Sequence, residues 1–274
     1  IYGPSETIVG RFAHDQPSAV VCTKFCCFRN LQTIDRAEVR ARVQRQCERL
    51  QLASLPLVAF FWADYGVNRY IDVAQYLAEL RAEGLIGEIG VTNFDTKRLK
   101  RLVEAGVPVV SNQVQLSALD SRPLQSGMAD YCTAQGIKLI AFGTVGGGIL
   151  SERYLGAAAP PAGSQLDTTS LRMYASTAAR FGGWELVQEL LRVMERLAKK
   201  HGVAIANVAQ RYVLQCSPSV ASILIGVRNS DHIAENVRTH SFELDFSDMA
   251  ALREIIDRRK GPAGDVWDIE RGYV

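Results

Sequence analysis

Short apolar runs rich in β-branched residues alternate along this chain with longer segments of helical period, and no other feature constrains the fold as tightly. The runs fall at residues 19–24 (AVVCTK), 55–61 (LPLVAFF), 88–92 (EIGVT), 108–115 (PVVSNQVQ), 137–142 (IKLIAF) and 221–226 (ASILIG). Each is nearly continuous in apolar character, as parallel strands covered on both faces require. The intervening segments predict helices. Asp35, with Glu38 three residues on, has the pattern of a capping box, and Val39, Val43, Cys47 and Leu50 follow at helical spacing. Residues 70–83 form the next helix, stopped at Gly84, and Asp95 caps another that runs to Glu104. Segments 124–135, 185–200, 204–215 and 247–258 have the same period. Alternating β and α elements imply a parallel sheet with right-handed crossovers.

A chain of 274 residues with 47% hydrophobic content is long enough for one α/β barrel domain spanning residues 1–274. Closing such a barrel needs eight strands, and six are visible. Residues 151–183, rich in Ala, Pro, Gly and Ser, are expected to form a long loop, and the tail 259–274 to be irregular. Neither offers a place for two more strands. The fold expected is therefore a (β/α)8 TIM-type barrel whose first two strands and first helix precede Ile1. Alternatively, a protein partner covers the gap, because an open six-stranded barrel would expose strand edges and core.

Composition narrows the partners. The net charge is +2 and the Lys and Arg residues are scattered, so no footprint for nucleic acid or an anionic membrane is present. No apolar run reaches the length of a membrane span, and IYGPSE has neither the basic start nor the apolar middle of a signal peptide. The compartment is not readable. Of six cysteines, Cys22, Cys26 and Cys27 cluster, but without a CxxC pair or a nearby His, so no metal site is expected and free thiols are the default.

Candidate chemistry gathers at strand ends. A GxGxxG after a strand is absent. The run Gly143-Thr144-Val145-Gly146-Gly147-Gly148 follows the strand at 137–142, where backbone without side chains can approach a pyrophosphate. The last strand leads through Gly226-Val227-Arg228-Asn229-Ser230 into a short helix at 231–237, an anion site by position, with Arg228 as a phosphate clamp.

These segments resemble the aldo-keto reductase family. IYGPSE is similar to the stretch after the family's second strand, and VCTK, GVTNF, SNQVQ, IAFGT and GVRNSDHIAEN match its strand ends in order. RFGGWELVQELL and HGVAIANVAQRYVLQ resemble a subgroup of reductase-like members. The resemblance implies carbonyl reduction by hydride transfer from NADPH, without metal, on a small aldehyde, ketone or sugar. It places the proton-donating Tyr at Tyr2 and the Lys that lowers its pKa at Lys24. A phenol near pKa 10 is a poor acid at neutral pH without such a cation. The family's Asp would lie before Ile1. The family's His position, in a pattern like QFHW, falls in Ala59-Phe60-Phe61-Trp62 and is occupied by Phe61, which offers no hydrogen bond. Thr92, Asn93 and Gln113 match the residues that hold the nicotinamide carboxamide, and Phe142 matches the stacking aromatic. Gly143, Gly226, Arg228, Glu235 and Asn236 fall at the phosphate and adenosine end, with Arg228 favouring NADPH over NADH. Because of Phe61, the resemblance leaves a second reading open: a cofactor-binding or structural subunit with little or no activity.

Overall fold

The structure, a computed structural model, describes residues 4–160, 169–227, 230 and 232–273. Contacts divide the chain into two compact units, Ile1–Gln113 with Gln135–Lys138, and Val114–Ala134 with Leu139–Val274.

The first unit begins with helix α1 (Ser5–Asp15), followed by β1 (Cys22–Cys27), α2 (Arg36–Leu50), β2 (Leu55–Trp62), α3 (Tyr70–Ala82), β3 (Ile86–Thr92), α4 (Thr96–Glu104) and the start of β4 (Val109–Gln115). These strands pair parallel in chain order. The predicted caps form: Asp35 accepts from the Glu38 N–H at 2.8 Å and Asp95 from the Arg98 N–H at 2.7 Å. The face of the sheet toward the helices is packed with aromatic rings. Phe25, Phe60, Phe94 and Tyr70 are fully buried, and Phe60 has Phe25, Trp62 and Phe94 within 6.4 Å, centroid to centroid.

Helix α1 is not among the elements the sequence predicts, because Gly10 in its middle weakens the helical pattern. The structure supplies the reason for that glycine: a Cβ there would stand 2.7 Å from the backbone of Leu50, so α1 and α2 touch main chain to main chain. The first strand also lies later than its predicted 19–24. Val20 is exposed ahead of it, and pairing runs from Cys22 opposite Leu57 to Cys27 opposite Trp62, which leaves Lys24 inside the strand rather than at its end.

The second unit contains α5 (Arg122–Gln125), α6 (Met128–Gln135), β5 (Lys138–Phe142), α7 (Thr169–Gly182), α8 (Trp184–His201), α9 (Ile205–Gln215), β6 (Val220–Ile223), α10 (Ile233–Val237), α11 (Phe246–Ile256) and α12 (Asp268–Arg271). Strands β5 and β6 pair parallel. The helix predicted at 124–135 is two, with Gly127 between them at φ 78°. The expected loop at 151–183 is half wrong. Its Pro- and Gly-rich front hides a back half in which Leu171, Tyr174, Ala178 and Phe181 recur at helical spacing and are buried on α7. The expected irregular tail likewise carries the single turn α12.

The described strands number six, in chain order, with helices between them. No helix among the described residues is long and apolar enough to cross a membrane.

Candidate active site

In a parallel sheet, paired residues share a face, so register alone sorts the first unit's side chains. Phe25 lies under Arg42 of α2, with the guanidinium 4.0 Å above the ring, so its face of β1 is the helix side. Lys24 therefore points to the other face. It pairs with Ala59, Ala59 with Gly90, and Gly90 with Ser111. One layer nearer the strand ends, Cys26 pairs with Phe61 and Thr92 with Gln113. Lys24, Phe61, Thr92 and Gln113 are thus brought to the same side of the sheet. Lys24 also lines a cleft of about 420 Å³ that runs along β1, with Glu6 of α1 and Arg42, Gln46 and Arg49 of α2 on its walls.

Phe61 is half-buried, and its ring packs against Phe28 with centroids 5.3 Å apart. None of the four histidines lies in a strand: His14 and His201 are in helices, and His232 and His240 flank α10. The phenyl ring at 61 has no imidazole standing in for it on these strands.

The turn after β3 is tightly held. Asn93 takes a left-handed conformation, φ 57°, which Asn tolerates better than most residues. Its N–H donates to the Gln113 carbonyl at 2.9 Å, and the Thr92 hydroxyl donates to the same oxygen at 3.2 Å. The Tyr65 hydroxyl donates to the Asn93 carbonyl at 3.4 Å, and the Asn112 amide to the Phe94 carbonyl at 2.8 Å. Thr92 and Asn93 are buried and Gln113 is half-buried. An amide and a hydroxyl on a fixed turn are the donor and acceptor set that a carboxamide needs.

In the second unit, Phe142 ends β5 half-exposed. Its ring meets the Trp267 indole edge to face, with centroids 6.0 Å apart and planes at 67°. Gly143 has φ 74°, and a side chain there would collide with the Tyr174 phenol of α7. The missing side chain at 143 thus makes room for α7. Burial pushes the Tyr174 phenol up, and the Asp120 and Glu270 carboxylates push it further the same way, so it stays protonated at neutral pH. A Cβ at Gly226 would meet nothing within 4 Å.

Glu235 and Asn236 ride on α10, a helix of only five residues. A buried polar set with no mark in the sequence pattern holds it. The Asn207 amide donates to the Glu235 carbonyl at 2.8 Å and to the Thr239 hydroxyl at 2.9 Å. That hydroxyl donates to Gln210, whose amide reaches the Asn236 side chain at 3.4 Å. A second such set is Asp120, Arg122 and Glu270, joined by ion pairs of 2.8 and 2.9 Å. Tyr2 and Arg228, the proposed proton donor and phosphate clamp, lie outside the described residues.

The model of the aldo/keto reductase family matches residues 1–257. The chain belongs to that family. Among curated proteins it is 32% identical to flagellar radial spoke protein 5 of Chlamydomonas reinhardtii over 189 residues, covering 61% of this chain and 35% of that protein. It is 28% identical to glyoxal reductase of Bacillus subtilis strain 168 over 227 residues, covering 82% of this chain and 66% of that protein. Among solved structures, Gox0644 in complex with NADPH superposes with a TM-score of 0.67 at 23% identity, covering 91% of this chain and 75% of that one. The chain thus spans about a third to two thirds of the length of these two curated relatives.

Proposed function

We propose that this chain carries the reductase barrel of an NADPH-dependent enzyme acting on a small aldehyde, ketone or sugar carbonyl. The observation that carries the reading is the shared face of the first unit. Family membership predicts a lysine and a carboxamide cradle on one side of the sheet, and Lys24, Thr92 and Gln113 lie there by register. The name of the glyoxal reductase relative and the NADPH bound to Gox0644 point the same way.

NADPH, when bound, supplies the hydride for the carbonyl carbon. The chain's own residues do the rest. Tyr2 donates its phenolic proton to the carbonyl oxygen, and the Lys24 ammonium favours the phenolate that is left. Thr92, Asn93 and Gln113 hold the carboxamide, and Phe142 stands at the sequence position that the resemblance gives to the stacking aromatic. The resemblance assigns Gly143, Gly226 and Arg228 to the phosphates, and Glu235 and Asn236 to the adenosine. The 274 residues act as one domain in this reading.

One observation favours a second reading, a subunit that binds the cofactor with little or no turnover. Phe61 stands where the family has His, and its ring is committed to packing on Phe28. The test follows NADPH oxidation by the full-length protein over a panel of aldehydes, ketones and sugars. Turnover is expected, with Lys24→Met lowering it about 10²–10⁴-fold at unchanged unfolding temperature. Phe61→His should raise it. NADPH binding without turnover, and no gain from Phe61→His, would replace the first reading with the second.

A further inference from the structure

Strand β1 is held from two sides. On one it pairs with β2, Lys24 opposite Ala59, which settles the face to which Lys24 points. On the other, β1 ends the described sheet, and an edge of open carbonyls is loosely placed unless other groups take them. Two side chains of α2 do so. The Gln46 amide donates to the Lys24 carbonyl at 2.9 Å, and the Arg42 guanidinium donates to the Cys26 carbonyl at 2.5 Å. The Gln46 nitrogen also donates to Glu6 of α1 at 2.9 Å and lies 3.3 Å from the Thr23 hydroxyl.

Glu6 is the centre of this set. Its Oε1 accepts from the Thr23 hydroxyl at 2.7 Å and from Gln46, and its Oε2 accepts from Arg49 at 3.0 Å. Burial raises the Glu6 carboxyl, but the bonds from Thr23, Gln46 and Arg49 outweigh it and the net shift is downward, so Glu6 is ionised at neutral pH. It is the one carboxylate among the described residues lining the cleft along β1, where Lys24, Arg42, Arg45 and Arg49 supply the opposite charge. Stability alone does not account for the set. Gln46 is buried, and its Oε1 finds no donor among the described residues. A buried acceptor without a donor is destabilising. Turned over, the amide would set that oxygen against the Glu6 carboxylate and the Lys24 carbonyl, so its orientation is forced. What the amide gains is placement. Glu6 lies in the first turn of α1, whose Gly10 rests on the main chain of Leu50, so α1 is held at two points.

We infer that Glu6 is a positioning residue: through Gln46 and Thr23 it locks the first turn of α1, four residues after Tyr2 in sequence, to the main chain of β1 at Lys24, and so fixes how closely the Lys24 ammonium acts on the Tyr2 phenol. The effect on the phenol rests on the carbonyl-reductase reading of the site; the tie between α1 and β1 does not. Taken alone, the negative charge of Glu6 works against an ionised phenol. Its charge and its placement therefore act on the phenol with opposite signs, and removing Glu6 tells them apart.

The experiment uses the full-length protein and its Glu6→Gln variant, which keeps the volume and removes the charge. Hydrogen exchange over 5–15 and 22–27 is expected to quicken about tenfold in the variant, with exchange over 86–92 unchanged. The kinetic probes are NADPH and whichever carbonyl of the panel the unaltered protein turns over fastest. The apparent pKa of the proton donor, read from the pH dependence of kcat/KM, should rise by about one unit toward the ordinary phenol value. At neutral pH kcat should fall about tenfold while KM for the carbonyl stays within about twofold. Glu6→Asp, which keeps the charge, should recover part of kcat. Gln46→Leu, which cuts the tie to Lys24 and leaves the Glu6 charge, should reproduce the rise in pKa. A pKa that falls in Glu6→Gln is the sign of charge alone and overturns the positioning role, as does one that does not move. Unchanged exchange over 5–15 and 22–27 overturns the tie even if the enzyme is active. If the unaltered protein reduces no carbonyl at all, the reductase reading falls and takes the effect on the phenol with it, whatever the exchange shows.

Discussion

The two units hold their candidate site residues by different physics. In the first, Lys24, Thr92 and Gln113 sit on strands, and backbone pairing across β1 to β4 fixes which way each side chain points. In the second, Glu235, Asn236 and Trp267 sit on or beside helices of four or five residues. There the geometry comes from buried polar side chains: Asn207 and Gln210 reach α10 from α9, partly through Thr239 just beyond the helix, and Asp120 and Arg122 hold α12. A sheet positions residues as a by-product of its own stability. A short surface helix needs a dedicated anchor, which does more for position than for net free energy.

The largest expected effect tests the first half of that contrast. Phe60 is fully buried among Phe25, Trp62 and Phe94. Phe60→Ala deletes the centre of that cluster and should cost about 3–5 kcal/mol, read as a lowered denaturant midpoint at unchanged slope. A loss below about 1 kcal/mol would mean that the first unit is not held by its aromatic layer, and the contrast would break.

That same difference decides what was legible in the sequence. Strand existence, strand order and the caps at Asp35 and Asp95 follow from short-range periodicity and chemistry, and they were readable because the signal lies within a dozen residues. Thr92 and Gln113 were placed by the same strand-end patterns. Helix α7 was missed because composition averaged over 151–183 mixes a Pro- and Gly-rich front with an apolar stripe at Leu171, Tyr174, Ala178 and Phe181. Helix α1 was missed because Gly10 lowers helical propensity for the sake of a contact with Leu50 that only the tertiary structure shows. The Arg122–Glu270 and Asn207–Thr239 contacts join residues 148 and 32 positions apart, and an Arg or Asn in a list of surface-type residues carries no mark of burial. At Gly143 the sequence alone suggests bare backbone for a phosphate, whereas the space beside it is occupied by Tyr174.

The second prediction tests the other half. Asn207 is fully buried, and its amide serves both the Glu235 carbonyl and the Thr239 hydroxyl. Asn207→Leu leaves those acceptors without that donor and should cost about 1–3 kcal/mol. If the anchors serve position, the loss should be uneven: hydrogen exchange should quicken over 233–240 well beyond the change at β5 and β6, and NADPH affinity should weaken more than overall stability does. Uniform loosening of the whole second unit would make Asn207 an ordinary core residue and erase the distinction.

The smallest effect concerns the exposed polar tie in the same unit, which should behave like neither. Lys200, near the end of α8, donates to Asp245 at 2.6 Å and Asp248 at 2.7 Å at the start of α11, and His201 Nε2 lies 2.8 Å from Asp248. The Lys200 ammonium, then the Ser247 hydroxyl and the Asp248 N–H, hold the Asp245 carboxyl well below the ordinary range. Burial raises the Asp248 carboxyl, but the bonds from Lys200 and His201 outweigh it and the net shift is downward. A carboxylate whose pKa is depressed by folding stabilises the fold above its unfolded value, about pH 4, and that contribution is lost as pH falls through the folded value. Thermal unfolding should therefore begin to drop below about pH 4, and Asp245→Asn should flatten part of that drop. Because the Lys200 and Asp245 side chains are 44% and 55% exposed, added salt should shrink the difference between the two proteins. The Asn207 effect, being buried, should be far less sensitive to salt. If salt moved both alike, burial would not be what separates a positioning anchor from a surface pair, and the comparison between the units would need another basis.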